Sequence, residues 1–384
     1  MKTRHSHESV LNLCCGELVE VRSKDEILAT LDANGRRDAL PFMPEMLQYC
    51  GRRFRVYKQA HKTCDTVRKP AALRMNGAVH LESIRCDGSA HGGCQANCLI
   101  FWKEVWLKRV LGPETSHDTS VTAPTLAWQS GPAGCTEEDL FQATHAQASN
   151  RLFDDEVFSC QATELPNATS HLPWWDIRQY VWDVRSGNIG LGELAHGASV
   201  AAFNMCVRSI RRGILGVRLL VRRSVADVNA SARCNTPMAN ADARNSDSNT
   251  VASRIKQVLE NLLVEYPAIQ GKLRKTPSIL LNLQPGELVQ VKSKAEILAT
   301  LDVNNRNRGL AFDVEMVPYC GRTYRVLRRV EKILNEKTGR MITLPNPCII
   351  LEGVVCRACS SRNRMFCPRS IYSYWHEIWL RRPQ

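Results

Sequence analysis

A chain of 384 residues with 44% apolar and 23% charged side chains has room for two or three cored domains, which excludes a wholly disordered protein. Its 51 basic and 38 acidic side chains give a net charge of +13, which favours anionic partners such as nucleic acid, acidic polysaccharide or phospholipid headgroups without choosing among them. No run of about 18 uncharged apolar residues occurs, so a membrane-spanning helix is not expected.

In chain order, the start "MKTRHSHESVLNLCCGELVEV" lacks an apolar stretch after its basic residues, so no signal peptide and a cytoplasmic address are expected. Thiols stay reduced there, and the 16 cysteines read as metal ligands or buried thiols before they read as disulfides. "GELVEVRS" alternates as a half-buried strand does. Ser23 and Glu26 form a capping box ahead of a short helix that the turn residues Asp32-Ala33-Asn34-Gly35 end. "RRFRVYK", "AVHLESIRC" and "LIFWKEVWLKRV" read as further strands, the last placing Trp102, Glu104 and Trp106 on one face. A carboxylate between two indoles would have a raised pKa suited to acid catalysis. The commoner outcome is a tryptophan core with the glutamate tied to an arginine or a backbone amide.

Residues 111 to 135 read as a polar loop and 136 to 153 as a helix with an acidic first turn. "PWWDIRQYVWD" gathers aromatic side chains that either form a stacking platform or, as favoured, dock the middle region on its neighbours. In residues 203 to 223, Phe203, Val207, Ile210, Ile214, Val217 and Val221 share a helical face while arginines occupy the others. Residues 224 to 253 read as a flexible linker, and "SRIKQVLENLLVEY" as a last helix.

The most informative feature is internal. Residues 11 to 56 return as 281 to 326 at an offset of 270 with roughly three positions in five identical, "VHLESIRC" returns as "IILEGVVC", and "FWKEVWLKR" as "YWHEIWLRR". The predicted organisation is a first Cys-rich β module at 11–110, a partly helical central region at 111–223, the linker at 224–253, and a helix plus second Cys-rich β module at 254–384. The fold class expected is mainly β with α: two duplicated small SH3-like β-barrel modules with Cys metal sites, joined by a partly helical central region.

Cys50 aligns with Cys320, Cys86 with Cys356 and Cys94 with Cys367, which suggests one ancestral ligand set. Cys359 completes it in the second module, and Cys98 or His91 in the first, with Cys64 competing for the role of Cys50. Cys348 and Cys356, read as the ends of one strand roughly 26 Å long, cannot share an ion. Zinc is expected, with iron as second choice. Four thiolates make a closed, structural site, whereas the surplus ligand and the "HGG" of the first module would leave an exchangeable position for chemistry, with Glu104 and His91 as the catalytic candidates. Cys160 and His171 have no spacing that fixes them as nucleophile and base. No phosphate-loop, dinucleotide, zinc-protease or nucleophile-elbow pattern is present.

With "GLAFDVEMVPYCGRTYRV", "LPFMPEMLQYCGRRFRV" and "FCPRSIYSYWHEIWL", the chain resembles a bacterial group of Cys-rich proteins with a duplicated module, uncharacterised as a group. The resemblance spans both modules and part of the middle and implies no activity. The function expected is metal-dependent binding or scaffolding for a protein or anionic partner. The alternatives are a biosynthetic metalloenzyme at the first-module Cys/His site and nucleic-acid binding.

Overall fold

The computed structural model describes residues 11–66, 71–110, 135–145, 156–210, 269–359 and 362–383. The chain divides into two compact units, Met1–Leu194 with Gln270–Gln384, and Ala195–Ile269. Both copies of the repeat lie in the first unit. The linker expected at 224–253, the helix expected after it and most of the loop expected from 111 lie outside the described residues.

The fold of the first unit is a set of small antiparallel sheets with short helices, one sheet curving into a half-barrel. The first repeat contributes β1 (Leu18–Val21), α1 (Lys24–Leu28), β2 (Arg36–Arg37), β3 (Leu40–Pro41), β4 (Arg53–Gln59), β5 (Lys62–Asp65), β6 (Ala71–Arg74), β7 (Ala78–Leu81), β8 (Trp102–Lys103) and β9 (Leu107–Arg109). Five of these form a sheet in the order β8-β7-β4-β1-β9. The alternation of β1 buries Val19 and Val21, and α1 starts at the expected capping box, with Ser23 N–H donating to Glu26 at 2.9 Å.

The middle segment adds α2 (Glu137–Ala143), α3 (Gln161–Ala168), β10 (Ser170–Leu172), α4 (Arg178–Arg185) and helix α5 at residues 191–210. β10 joins β6 and β5 in a three-stranded sheet. The later copy contributes β11 (Leu288–Val291), α6 (Lys294–Leu298), β12 (Arg306–Asn307), β13 (Leu310–Ala311), β14 (Thr323–Leu334), β15 (Met341–Leu351) and β16 (Leu380–Arg381). Its sheet order is β15-β14-β11-β16. Residues 270 apart take the same pairings: Val19 opposes Phe54 as Val289 opposes Tyr324. The cores match likewise, Phe42 lying edge-on to Trp102 and Trp106, and Phe312 to Trp375 and Trp379.

Two hairpins are exchanged between the copies, and this positions the cysteines. The β14–β15 hairpin reaches the Cys-rich loop of the first copy: Lys332 N–H and Nζ donate to Gln95 Oε1 (3.1 Å) and Gly92 O (2.9 Å), and Leu334 N–H donates to Cys94 Sγ (3.2 Å). The β5–β6 hairpin packs reciprocally on the second Cys-rich loop, where Arg369 donates to Cys64 O (3.3 Å), and its Thr66 donates to Glu336 in the turn of the β14–β15 hairpin (2.6 Å). Lys62 and Cys64 thus stand 270 residues before Lys332 and Leu334, in corresponding places of the two hairpins.

Three expectations need correction. Trp102, Glu104 and Trp106 do not share a strand face, because β8 stops at Lys103 and Glu104–Trp106 is a 3-10 turn, although both indoles are buried. The aromatic segment docks through its polar residues: Asp176, Gln179 and Asp183 are buried, while Trp174, Trp175, Ile177 and Val181 face outward. Of the helical face proposed for 203–223, only the part to residue 210 is described. There Val207 is buried with Asn204 and Val200, and Phe203 and Ile210 are exposed. Among the described residues, no helix is long and apolar enough to cross a membrane.

Candidate metal centre

A 3-10 turn at Pro44–Tyr49 carries Glu45 in its first turn, buried with Met46 against the sheet. After β7 the chain enters the glycine-rich loop of residues 85 to 98. Gly88 sits at φ +79°, and a Cβ there would lie 2.1 Å from the carbonyl oxygen of Cys94. Only glycine allows the loop to fold back so closely. The fold-back brings Cys86 and His91 onto Glu45: Cys86 Sγ is 3.4 Å from Glu45 Oε1 and 3.5 Å from His91 Nε2, and His91 Nδ1 is 3.5 Å from Glu45 Oε1. These are the three donors among the described residues whose ligand atoms cluster closely enough to hold one ion.

The electrostatics fit a site built for a cation. Burial pushes Glu45 up. It pushes the Cys86 thiol well up, helped by Glu45 and Cys98, and drives His91 down to about 4 against the pull of Asp87. The imidazole is therefore neutral at physiological pH and able to donate a lone pair. Nδ1 of His91 and Oε2 of Glu45 are buried without hydrogen-bond partners, the 3.5 Å contact between these residues lacking good geometry. The atoms that face the Cys86 sulfur are Glu45 Oε1 and His91 Nε2, so an oxygen, a nitrogen and a sulfur converge on one place while the other oxygen and ring nitrogen of the same two residues stay buried without partners, a donor set of the kind that holds a cation.

The group lines a small pocket of about 40 Å3 that also receives Cys94, Cys98 and Cys160. Cys98 is pushed up to about 11 and Cys160 to about 12, in both cases by burial first. Of the ligands expected from the sequence, the structure gathers Cys86, His91, Cys94 and Cys98 here. Cys50 stands at the far end of the turn that carries Glu45. Five residues of 3-10 helix separate them by about 10 Å, and the charges nearest Cys50 are Lys24 and Glu137. Cys320 ends the equivalent turn, with Lys294 nearby.

The second loop repeats the plan with different chemistry. Glu315 and Cys356 correspond to Glu45 and Cys86, but Glu315 accepts from Cys359 N–H at 3.1 Å. Cys359 Sγ turns to Arg357 O at 3.6 Å. Cys356 N–H bonds Ile371 O (2.7 Å) as Cys86 N–H bonds Cys98 O (2.8 Å), so the place of Cys98 is taken by an isoleucine. No second histidine is present; the Arg364 guanidinium acts on Cys356, Cys64 and Cys367 instead. Cys64 packs with Cys367 rather than replacing Cys50.

The catalytic candidate Glu104 is a brace. It accepts from Asn12 N–H (2.9 Å) and Leu13 N–H (3.2 Å), and Glu377 repeats this with Leu281, Asn282 and Leu283 and adds Arg329 at 2.7 Å. Burial raises Glu377, yet these bonds hold it below the ordinary carboxylate range. Sequence reasoning missed Glu45, whose only signal was its conservation in both copies as Pro/Val-Glu-Met, and Cys160, which nothing near it in sequence connects to the loop. No family model matches the chain, and neither a curated protein nor a solved structure does.

Proposed function

We propose that the chain is a cytoplasmic zinc-binding protein whose two repeats, small SH3-like β modules, present a binding surface to a protein or anionic partner. The observation that carries the metal part is the mutual approach of Glu45, Cys86 and His91 at 3.4 to 3.5 Å inside a closed loop. One thiol of the same pocket, Cys94, Cys98 or Cys160, would supply the fourth corner of a tetrahedron. An ion there would pin the 3-10 turn to the loop and, through Cys160, to the start of α3. Mixed oxygen, nitrogen and sulfur donors favour zinc, with iron as the second choice. The outward-facing Trp174, Trp175, Ile177 and Val181 on and before α4 support the binding part, as does the charge of +13 for an anionic partner.

A metalloenzyme is the second reading, because three protein ligands beside a largely apolar pocket leave one position for a substrate. Nucleic-acid binding rests on charge alone. The test is zinc uptake by the chelator-stripped full chain. Glu45→Gln and His91→Ala should each weaken uptake at least tenfold, while Cys50→Ala leaves it unchanged. Equal loss in Cys50→Ala, or none in the first two, would overturn the site. Exchange of an exogenous thiol or imidazole onto bound cobalt would favour the enzyme over the scaffold.

A further inference from the structure

The two exchanged hairpins place different residues against equivalent cysteines. Leu334 of the β14–β15 hairpin meets Cys94, whereas Cys64 of the β5–β6 hairpin meets Cys367, the counterpart of Cys94. Cys64 and Cys367 are both buried and pack together in one small cluster with Ala358. Two guanidinium groups attend the pair. Arg369, itself buried, donates to Cys64 O (3.3 Å) and Thr66 Oγ1 (3.4 Å) and pairs with Glu336 at 2.6 Å. Arg364 acts on both sulfurs. Positive groups of this kind repel a metal ion and favour a thiolate. A pocket of about 60 Å3, lined by Cys64 together with Asp65, Thr66, Glu336, Lys337 and Arg369, lies on the Cys64 side of the pair and has room for a molecule the size of hydrogen peroxide.

We propose that Cys64 and Cys367 form a peroxide-sensitive dithiol that closes to a disulfide, stapling the β5–β6 hairpin of the first repeat to the cysteine loop of the second. The Cys64 thiolate attacks one oxygen of hydrogen peroxide, the O–O bond breaks, and the departing hydroxide takes a proton to leave as water, giving a Cys64 sulfenic acid. Cys367 sulfur then attacks Cys64 sulfur, the S–O bond breaks, and the hydroxyl leaves as water with the Cys367 proton. Two thiols and one peroxide become one disulfide and two waters. Arg369 bonded to Cys64 O, Arg364 beside the pair and a pocket lined by Cys64 and not by Cys367 direct the first attack to Cys64. In a reducing compartment such a bond is transient, as a sensor requires. The staple does not depend on the metal reading, since the first pocket contributes neither sulfur.

The full chain, reduced and then treated with a small excess of hydrogen peroxide, is alkylated, digested without reductant and mapped by mass. A peptide pair joining Cys64 to Cys367, two hydrogens lighter than its separate halves and abolished by dithiothreitol, is the expected result, in the native sequence and in Cys86→Ser alike. In Cys367→Ser, Cys64 should instead be trapped by dimedone. Alkylation of both residues under conditions that oxidise the exposed Cys206 would overturn the proposal. So would a link from Cys64 to any other cysteine, or protection of the pair that a chelator relieves, which would give these sulfurs to a metal.

Discussion

Lys62 is the residue whose loss should do most to the fold around the second cysteine loop. Its ammonium lies 2.5 Å from Asp183 Oδ2 and 3.4 Å from Gln179 Oε1, with the rings of Tyr180 and Phe366 at 5.0 and 5.8 Å. The side chains of Lys62 and Asp183 are 1% and 0% exposed, so neither charge can turn to water if the other is removed. Burial depresses the ammonium's pKa and Asp183 opposes that shift, so the pair is what keeps the charge tolerable. Breaking a buried pair on one side costs about 3–5 kcal/mol, whereas replacing both partners with apolar groups of similar volume is often close to neutral. Lys62→Met and Asp183→Asn should therefore each lower the melting temperature by about 6–15 °C, taking roughly 2–3 °C per kcal/mol for a unit of this size. Lys62→Met combined with Asp183→Leu should lose far less than the sum of the single changes. Differential scanning fluorimetry followed by a double-mutant cycle measures this. Single variants within about 1 kcal/mol of the native chain, or a double variant as damaged as the sum, would refute the reasoning.

Three further outcomes follow from the same structure. Zinc uptake must displace the raised Cys86 proton while His91 is already neutral above about 4, so affinity should rise about tenfold per pH unit for each proton displaced, and calorimetric heats should vary with the buffer's ionisation enthalpy; a flat pH profile would contradict it. His80, fully buried with Nδ1 2.9 Å from Ile100 O, is driven down to about 3 by burial, so the unfolded chain binds its proton first. The stability held by the neutral ring is complete above about 6.5 and drains as pH falls toward about 3, at about 1.4 kcal/mol per unit; His80→Phe should be less acid-labile, and an unchanged acid midpoint would refute this. Gly88→Ala should disrupt the loop, since its Cβ would meet Cys94 O at 2.1 Å at a φ of +79°, and zinc retention should fall with it; full retention would contradict the geometry.

What the sequence made legible was local. The capping boxes at Ser23 and Ser293 and the β1 alternation follow from spacing alone, because each is decided within a few residues. Glu45 was not legible as a donor, since its approach to Cys86 depends on which end of a 3-10 turn faces the loop, and the duplicated Cys50 drew attention to the other end. The partnership of Cys64 with Cys367 was invisible for a related reason. Comparing the two copies aligns each with itself, while the exchanged hairpins set a residue of one copy against a loop of the other. The aromatic run leading into and along α4 was expected to dock by its rings, yet Trp174 and Trp175 are exposed and the contacts that dock it are Asp176 with Arg74 (2.8 Å) and Asp183 with Lys62 (2.5 Å).

The central claim is that one ion is held by a carboxylate, a thiolate and an imidazole in the first cysteine loop. X-ray absorption at the zinc edge of the zinc-loaded full chain tests it most directly. The account predicts a mixed shell, with one or two sulfurs at about 2.3 Å and nitrogen or oxygen at about 2.0–2.2 Å, from which the imidazole signature disappears in His91→Ala. A shell of four sulfurs, or a chain that retains no zinc after purification without chelators, would contradict it.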